Sequence, residues 1–242
     1  MPQILVAIAT YNEIENLPPL VEAIGRHLPD ARILVIDDHS PDGTDRWCLE
    51  YQSHNPSFDC IIRSGKLGLG TAVTAAMQYA ITNRYDFLIN MDADFSHPPE
   101  KLPELVKAMT TEQMDVAIGS RYVPGGKIEG WPLYRRLMSR AVNCFARFCL
   151  GLSTCDNSGA FRCYRVATLH RIFAQQTSLR NIRSKGYSFF EEILFLLHRG
   201  GAKMVEIPIT FTDRKFGKSK INLCEAIKAI GNIFRLGLTR LA

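Results

Sequence analysis

Phe87-Leu88-Ile89-Asn90-Met91-Asp92-Ala93-Asp94-Phe95-Ser96-His97-Pro98-Pro99 is an apolar run that ends in two acids and then two prolines. Phe87 to Ile89 followed by polar residues reads as a buried strand reaching its carboxyl end, and the prolines forbid its continuation. In extended backbone, residues two apart share a side, so Asp92 and Asp94 are expected to point at the same volume. Two like charges so close need a reason. A hard divalent cation supplies one, because Mg²⁺ takes one or two protein carboxylates and completes its shell with water and substrate phosphate oxygens. Asp92 and Asp94 are therefore read as a metal-diphosphate anchor. The competing reading of so short a motif is a solvated acidic turn.

Strands of the same kind precede this one. Gln3 to Ala9 is an apolar run that meets Thr10-Tyr11-Asn12-Glu13, and a helical periodicity follows through Leu17, Leu20, Val21, Ile24 and Leu28. Arg32 to Ile36 is a second buried run, ending in Asp37-Asp38-His39-Ser40-Pro41-Asp42-Gly43-Thr44. Strand, loop, helix, strand predicts an α/β fold with a mostly parallel sheet. Ligands of such sheets bind beyond the carboxyl ends of the strands, where Tyr11, Glu13, Asp37 and Asp38 fall. Carboxylates there suit ribose hydroxyls or base edges, since they accept hydrogen bonds and repel phosphate. Ser40, Asp42 and Thr44 are equally good N-cap residues for a helix over Asp45 to Tyr51. Beyond a third short strand at Cys60 to Ile62, the Gly65 to Thr71 turn matches no nucleotide fingerprint but offers Lys66 as a donor contact. Arg121 stands just past a strand at Val116 to Ser120, a place suited to bidentate phosphate binding or to plain surface exposure.

The chain has 242 residues, 46% of them hydrophobic, enough for one sizeable core. Its net charge of +5 hides two opposite halves. Residues 1–120 hold 8 Lys and Arg against 17 Asp and Glu, whereas residues 121–242 hold 21 against 7. Such a division suggests a site where a cation and arginines converge on phosphates. Seven cysteines, odd in number and without a Cys-x-x-Cys pair, argue against a disulfide framework or a zinc site and fit a reducing cytosol. No basic leader precedes the first apolar run, and no stretch reaches the ~18 apolar residues of a spanning helix.

Two helices carry divided faces. Over residues 132–150, Leu137, Met138, Ala141, Val142, Cys144, Phe145, Phe148 and Cys149 share a broad apolar side. Arg136, Arg140, Asn143 and Arg147 align opposite, with Arg135 and Ser139 together on the flank. Such a helix docks on a core with its arginines exposed, or lies in a membrane interface; periodicity is the same for both. At the carboxyl end, Leu223, Ile227, Ile230, Phe234, Leu238 and Leu241 form one stripe away from Lys228, Arg235 and Arg240. Between these helices, Lys203 to Phe211 reads as an edge strand because of Pro208. The following Asp213 to Lys220 is a basic, glycine-hinged loop of the kind that closes over anions.

Taken in order, Thr10 to Glu13, Asp37 to Thr44, Gly68 to Ala72, Asp92 to Pro98, Gly119 to Tyr122, Ser158 to Tyr164 and Asp213 to Lys220 resemble the polyprenyl-phosphate glycosyltransferases, most closely the dolichol-phosphate mannose synthases. The resemblance runs nearly end to end. It implies a GT-A type fold: a catalytic unit over 1–221 that includes the 132–150 helix, then an amphipathic helix over 222–242 that meets the bilayer. It implies mannosyl transfer from GDP-mannose to a polyprenyl or dolichyl phosphate, with a sibling UDP-glucose enzyme and a catalytically silent sugar-nucleotide sensor as the alternatives. Carried over, Ala9, Tyr11, Glu13, Ile36 and Asp38 would hold the guanosine, and Asp92, Ala93, Asp94 and Ser96 would surround Mg²⁺ or Mn²⁺ and the diphosphate. Arg121, Arg135 and Ser139 would receive the lipid phosphate, with Arg214 and Lys220 closing from the basic loop. Ala9 stands where the family usually has proline, and Ser96 where some members place a longer polar ligand. The expected setting is the cytosolic face of a membrane, reached peripherally by the helices or through a small anchoring subunit, with no nucleic acid among the partners.

Overall fold

The computed structural model describes residues 1–175, 182, 184, 186, 188–213 and 223–241. Strand β1 (Ile4–Thr10) is followed by helix α1 (Leu17–His27), β2 (Arg32–Asp37), α2 (Thr44–His54), β3 (Phe58–Ile62), α3 (Leu69–Thr82) and β4 (Phe87–Asp92). After a 3₁₀ turn at Pro99–Lys101 come α4 (Leu102–Thr111), β5 (Val116–Ser120), β6 (Lys127–Glu129) and α5 (Leu133–Leu150). Then follow β7 (Arg162–Arg165), α6 (Val166–Gln175), α7 (Phe189–Arg199), β8 (Met204–Pro208), β9 (Thr210–Thr212) and α8 (Leu223–Leu241).

Seven strands form one sheet in the order β3-β2-β1-β4-β7-β5-β8, and only β7 runs against its neighbours. The sheet is α/β and mostly parallel, as the alternation of elements predicts. The parallel strands β1, β2, β4 and β5 are apolar along most of their length because both faces are covered. Leu5 and Ala7 of β1 pack in one core with α3 and α7; Ile4, Val6 and Ile8 point into the other, with α1 and α4.

One boundary departs from the sequence reading for a local reason. The predicted Lys203 to Phe211 strand is two: β8 lies on the sheet's edge, as Pro208 requires, and β9 leaves it to pair with β6. Proline has no N–H to donate, so the ladder ends there. The three-residue β6 is too short to show a period, whereas α6 went unread although Val166, Leu169, Ile172 and Phe173 recur at helical spacing.

The two amphipathic helices pack on each other, and α8 also packs on α7. Their orientation corrects the ordinary expectation of an apolar side facing inward. Asn143, Ala146 and Leu150 form the buried edge of α5, while Leu133, Tyr134, Leu137, Cys144 and Phe148 are exposed, Phe148 to 84%. Met138, Val142, Phe145 and Cys149 lie half-buried between. On α8, Ala229, Ile233 and Leu236 are buried and the predicted stripe residues Ile230, Phe234 and Leu238 face outward. The side chains of Leu223, Ile227, Lys228, Arg240 and Leu241 lie outside the described residues. No helix of the described residues is long and apolar enough to cross a membrane.

Candidate active site

The carboxyl edge of the sheet gathers the residues that the sequence singled out. β1 pairs with both β2 and β4, and the register sets Ala9 beside Ile36 on one side and beside Asp92 on the other. Residues read as a base site and as a diphosphate site thus share one row. Loops at this edge bend sharply: Asn12, His39 and Phe95, after β1, β2 and β4, have φ of 60°, 58° and 59°, in the left-handed region that non-glycine residues avoid.

The loop after β2 is tied to that after β1. Asp37 is fully buried and accepts hydrogen bonds from Thr10 Oγ1 at 2.8 Å, Ser40 N at 2.8 Å and Ser40 Oγ at 2.6 Å. Ser40 Oγ in turn accepts from Asn12 N at 2.9 Å, and Thr44 Oγ1 from Glu13 N at 3.1 Å. Asp37 is a structural anchor for the loop. Asp38 pairs with Arg63, whose other donors reach Thr71 Oγ1 at 2.6 Å and Gly68 O at 3.3 Å. Arg63 was not foreseen, although, like Arg121, it stands just past a strand. The Lys66 ammonium lies 4.6 Å from the centre of the Tyr11 ring, so the glycine turn does reach the β1 loop. Glu13 Oε2 accepts from Asn16 Nδ2 at 2.9 Å.

Asp92 is the last residue of β4, and the chain then bends, so strand alternation stops short of Asp94. What orients Asp94 is Ser96, whose backbone N and Oγ donate to Oδ1 at 3.1 and 2.6 Å. Ala93, Asp94 and Ser96 are all buried, while the Asp92 side chain keeps about a third of its surface. His97 Nδ1 accepts the Asp92 N–H at 3.0 Å, and its ring stacks on Phe161 at 5.1 Å. Burial pushes the imidazole down to about 4, against the pull of Asp94, so it is a neutral acceptor that pins the end of the strand. His97 stood in the quoted motif without a role.

Arg121 is buried and held by Asp156. Its Nε and Nη2 donate to the two carboxylate oxygens at 2.7 Å each, its backbone N adds a third bond at 3.0 Å, and Nη2 also reaches Ser158 Oγ at 3.1 Å. The rings of Tyr122, Phe211 and Trp131 surround the guanidinium at 5.2, 5.3 and 5.6 Å. Burial works against both charges, but each holds the other ionised: Arg121 is raised by Asp156, and Asp156 is lowered by Arg121. Asp156 had no assigned role either; its partner lies 35 residues away, beyond any local pattern.

The other residues assigned to a phosphate lie beside Arg121. Arg135 stacks at 4.0 Å on the Trp131 ring that also faces Arg121, and its Nη1 is 3.4 Å from Asp213. Ser139 Oγ accepts from Tyr122 Oη at 2.7 Å. The loop expected to carry Arg214 and Lys220 lies outside the described residues, apart from Asp213.

Among the described residues no group of three or more metal-ligating side chains occurs. Asp92 and Asp94 offer hard carboxylate oxygens alone, with the Ser96 hydroxyl turned onto Asp94. That donor set fits Mg²⁺ or Mn²⁺ carried in with a diphosphate, and does not fit zinc.

Residues 5–173 match the model of glycosyl transferase family 2. The chain belongs to that family. Among its relatives, the undecaprenyl-phosphate mannosyltransferase of Micrococcus luteus is 41% identical over 98% of this chain and 94% of its own. The polyprenol monophosphomannose synthase of Mycolicibacterium smegmatis is 39% identical over 97% of this chain and 86% of its own. A solved mannosyltransferase from Pyrobaculum calidifontis, in complex with GDP-Man and Mn²⁺, superposes with a TM-score of 0.62 over 99% of this chain and 64% of that one, at 12% identity. This family 2 glycosyltransferase therefore has the GT-A type fold that its motifs imply.

Proposed function

We propose that this glycosyltransferase moves mannose from GDP-mannose to a polyprenyl monophosphate, with inversion, on the cytosolic face of a membrane. One juxtaposition carries the reading. The acid pair at the end of β4 lies at the same sheet edge as Arg121, and Arg121, Arg135 and Ser139 converge through Tyr122 and Trp131 on the helix whose outer stripe is apolar. Relatives named for polyprenyl-phosphate mannosyl transfer, at about 40% identity, support the acceptor and the sugar. The GDP-Man and Mn²⁺ of the Pyrobaculum structure support the donor and the cation.

Asp92 and Asp94 would hold Mg²⁺ or Mn²⁺, which when bound neutralises charge on the departing diphosphate. Ala9, Ile36, Tyr11 and Glu13 line the base side of the row, with Arg63 orienting Asp38. A phosphate monoester has a second pKa of about 6, so at neutral pH the acceptor is already ionised and needs no protein base. What remains for the chain is electrostatic: Arg121 and Arg135 hold the acceptor anion within reach of the donor, beside the rings of Tyr122, Trp131 and Phe211. The outward stripes of α5 and α8, rimmed by Arg136, Arg140 and Arg147, suit a bilayer surface with anionic headgroups, peripheral in kind.

Purified protein is given a panel of nucleotide sugars, GDP-mannose and UDP-glucose among them, with a short polyprenyl phosphate and Mg²⁺. Mannosyl-phosphoryl lipid from GDP-mannose is expected, and Asp94→Ala is expected to lose at least about 100-fold in turnover. Preference for UDP-glucose, or undiminished turnover by Asp94→Ala, overturns the donor or the cation assignment respectively.

A further inference from the structure

Asn143 lies on the buried edge of α5, is only 2% exposed, and takes part in none of the chemistry above. Its carboxamide is fully engaged. Oδ1 accepts from Asn157 N at 2.7 Å and Ser158 N at 3.1 Å, while Nδ2 donates to Ser139 O at 2.9 Å and Ser158 Oγ at 3.0 Å. Ser158 Oγ is the same atom that receives Arg121 Nη2. From the other side, Glu206 of β8 accepts the backbone N–H of Cys155 at 2.7 Å and of Asp156 at 2.9 Å. The turn that carries Asp156 is thus clamped between β8 and α5, and it carries the carboxylate that aligns Arg121.

We infer that Asn143 is a positioning residue for the acceptor phosphate: through the 156–158 turn it fixes the pose of the Arg121 guanidinium, so that the seating of α5 sets the geometry of the anion cradle. Asp156 and Ser158 take up the Nε and Nη2 hydrogens of Arg121, which leaves the Nη1 group outside these bonds and aimed by them. With those hydrogens taken, Nη1 is the one donor group left to meet a phosphate, so a swing of the guanidinium plane displaces it and costs affinity for the anion while a nucleotide held at β1 and β2 is untouched. The inference rests on the proposed acceptor, and on neither the sugar nor the base.

The test uses the full chain and calorimetry with farnesyl phosphate, without donor, and separately with GDP. Asn143→Ala is expected to weaken farnesyl phosphate about tenfold, the worth of one or two buried hydrogen bonds, and to leave GDP affinity within about twofold. Ser158→Ala keeps both accepted backbone bonds and loses only the shared hydroxyl; it is expected to weaken farnesyl phosphate about threefold and serves if Asn143→Ala does not fold. Equal loss for both ligands, or unchanged farnesyl phosphate affinity in a folded variant, overturns the inference, as does a wild type that binds no farnesyl phosphate. A wild type that binds it but transfers no mannose from GDP-mannose overturns the donor reading alone.

Discussion

Asp156→Asn changes no volume and breaks the most enclosed ion pair described here. Oδ2 accepts Arg121 N and Nε, and Oδ1 accepts Arg121 Nη2 and Gly159 N at 3.1 Å. Whichever way the amide turns, its NH₂ faces two N–H donors, so two of the four bonds are lost and the Arg121 charge is left without a counterion. Removing one partner of a buried pair costs about 3–5 kcal/mol. With a urea slope of about 2–3 kcal/mol per molar, the unfolding midpoint falls by about 1.5 M at pH 7. Replacing both partners with apolar groups, Arg121→Met with Asp156→Leu, removes the stranded charge and is expected to recover much of that loss. A fall below about 0.4 M for Asp156→Asn, equivalent to about 1 kcal/mol, refutes the counterion argument. So does a double variant no more stable than the single one.

Two further outcomes follow from the same structure. Burial pushes Glu191, whose Oε2 has no hydrogen-bond partner among the described residues, up to about 7. Folding then takes up a proton wherever the unfolded carboxyl is ionised, so stability falls as pH rises from the ordinary carboxylate value toward 7 and the deficit is complete above it. Glu191→Gln is expected to remove that slope and to be more stable than the wild type at pH 8 by up to about 3 kcal/mol, read as urea midpoints at pH 5 and 8; equal midpoints at pH 8 refute it. On α5, Phe148→Ser is expected to lower partition onto vesicles of mixed neutral and anionic lipid about tenfold in a flotation assay, while Leu49→Ser, an exposed leucine of α2, leaves it unchanged. Wild-type protein that does not float without a membrane partner refutes the direct contact.

The sheet was legible because each parallel strand announces itself twice, by an unbroken apolar run and by the polar loop that must follow at its carboxyl end. Asp92 could be assigned to a site from the end of its run, whereas Ala9 and Ile36 came only with the family resemblance, and the register sets all three in one row. What could not be read is who holds whom. Asp37 and Asp38 are adjacent and chemically identical, yet one is locked onto Thr10 and Ser40 and the other meets Arg63. Arg121 was found by its place, but Asp156 and Asn143, which hold it, are polar residues in a turn and on a helix whose partners are set by β7 running antiparallel beside β5.

Helix α5 shows the same limit in another form. A period of 3.6 residues fixes that there are two faces, but the sign of the burial comes from what the core asks of each. Here the cradle around Arg121 needs hydroxyl and carboxamide groups from its neighbour, and Ser139 and Asn143, one helical turn apart, supply them. Once those two face inward, the apolar stripe through Leu137, Cys144 and Phe148 has no place but outside. Two explanations of an exposed apolar stripe, misfolding liability or a contact surface, differ in what the opposite face does. An inward face engaged bond by bond with the support of Arg121 is an ordered one, which favours the contact surface. That surface is the one the proposed lipid acceptor would meet, with its phosphate directed to Arg121 and Arg135 beside the same helix.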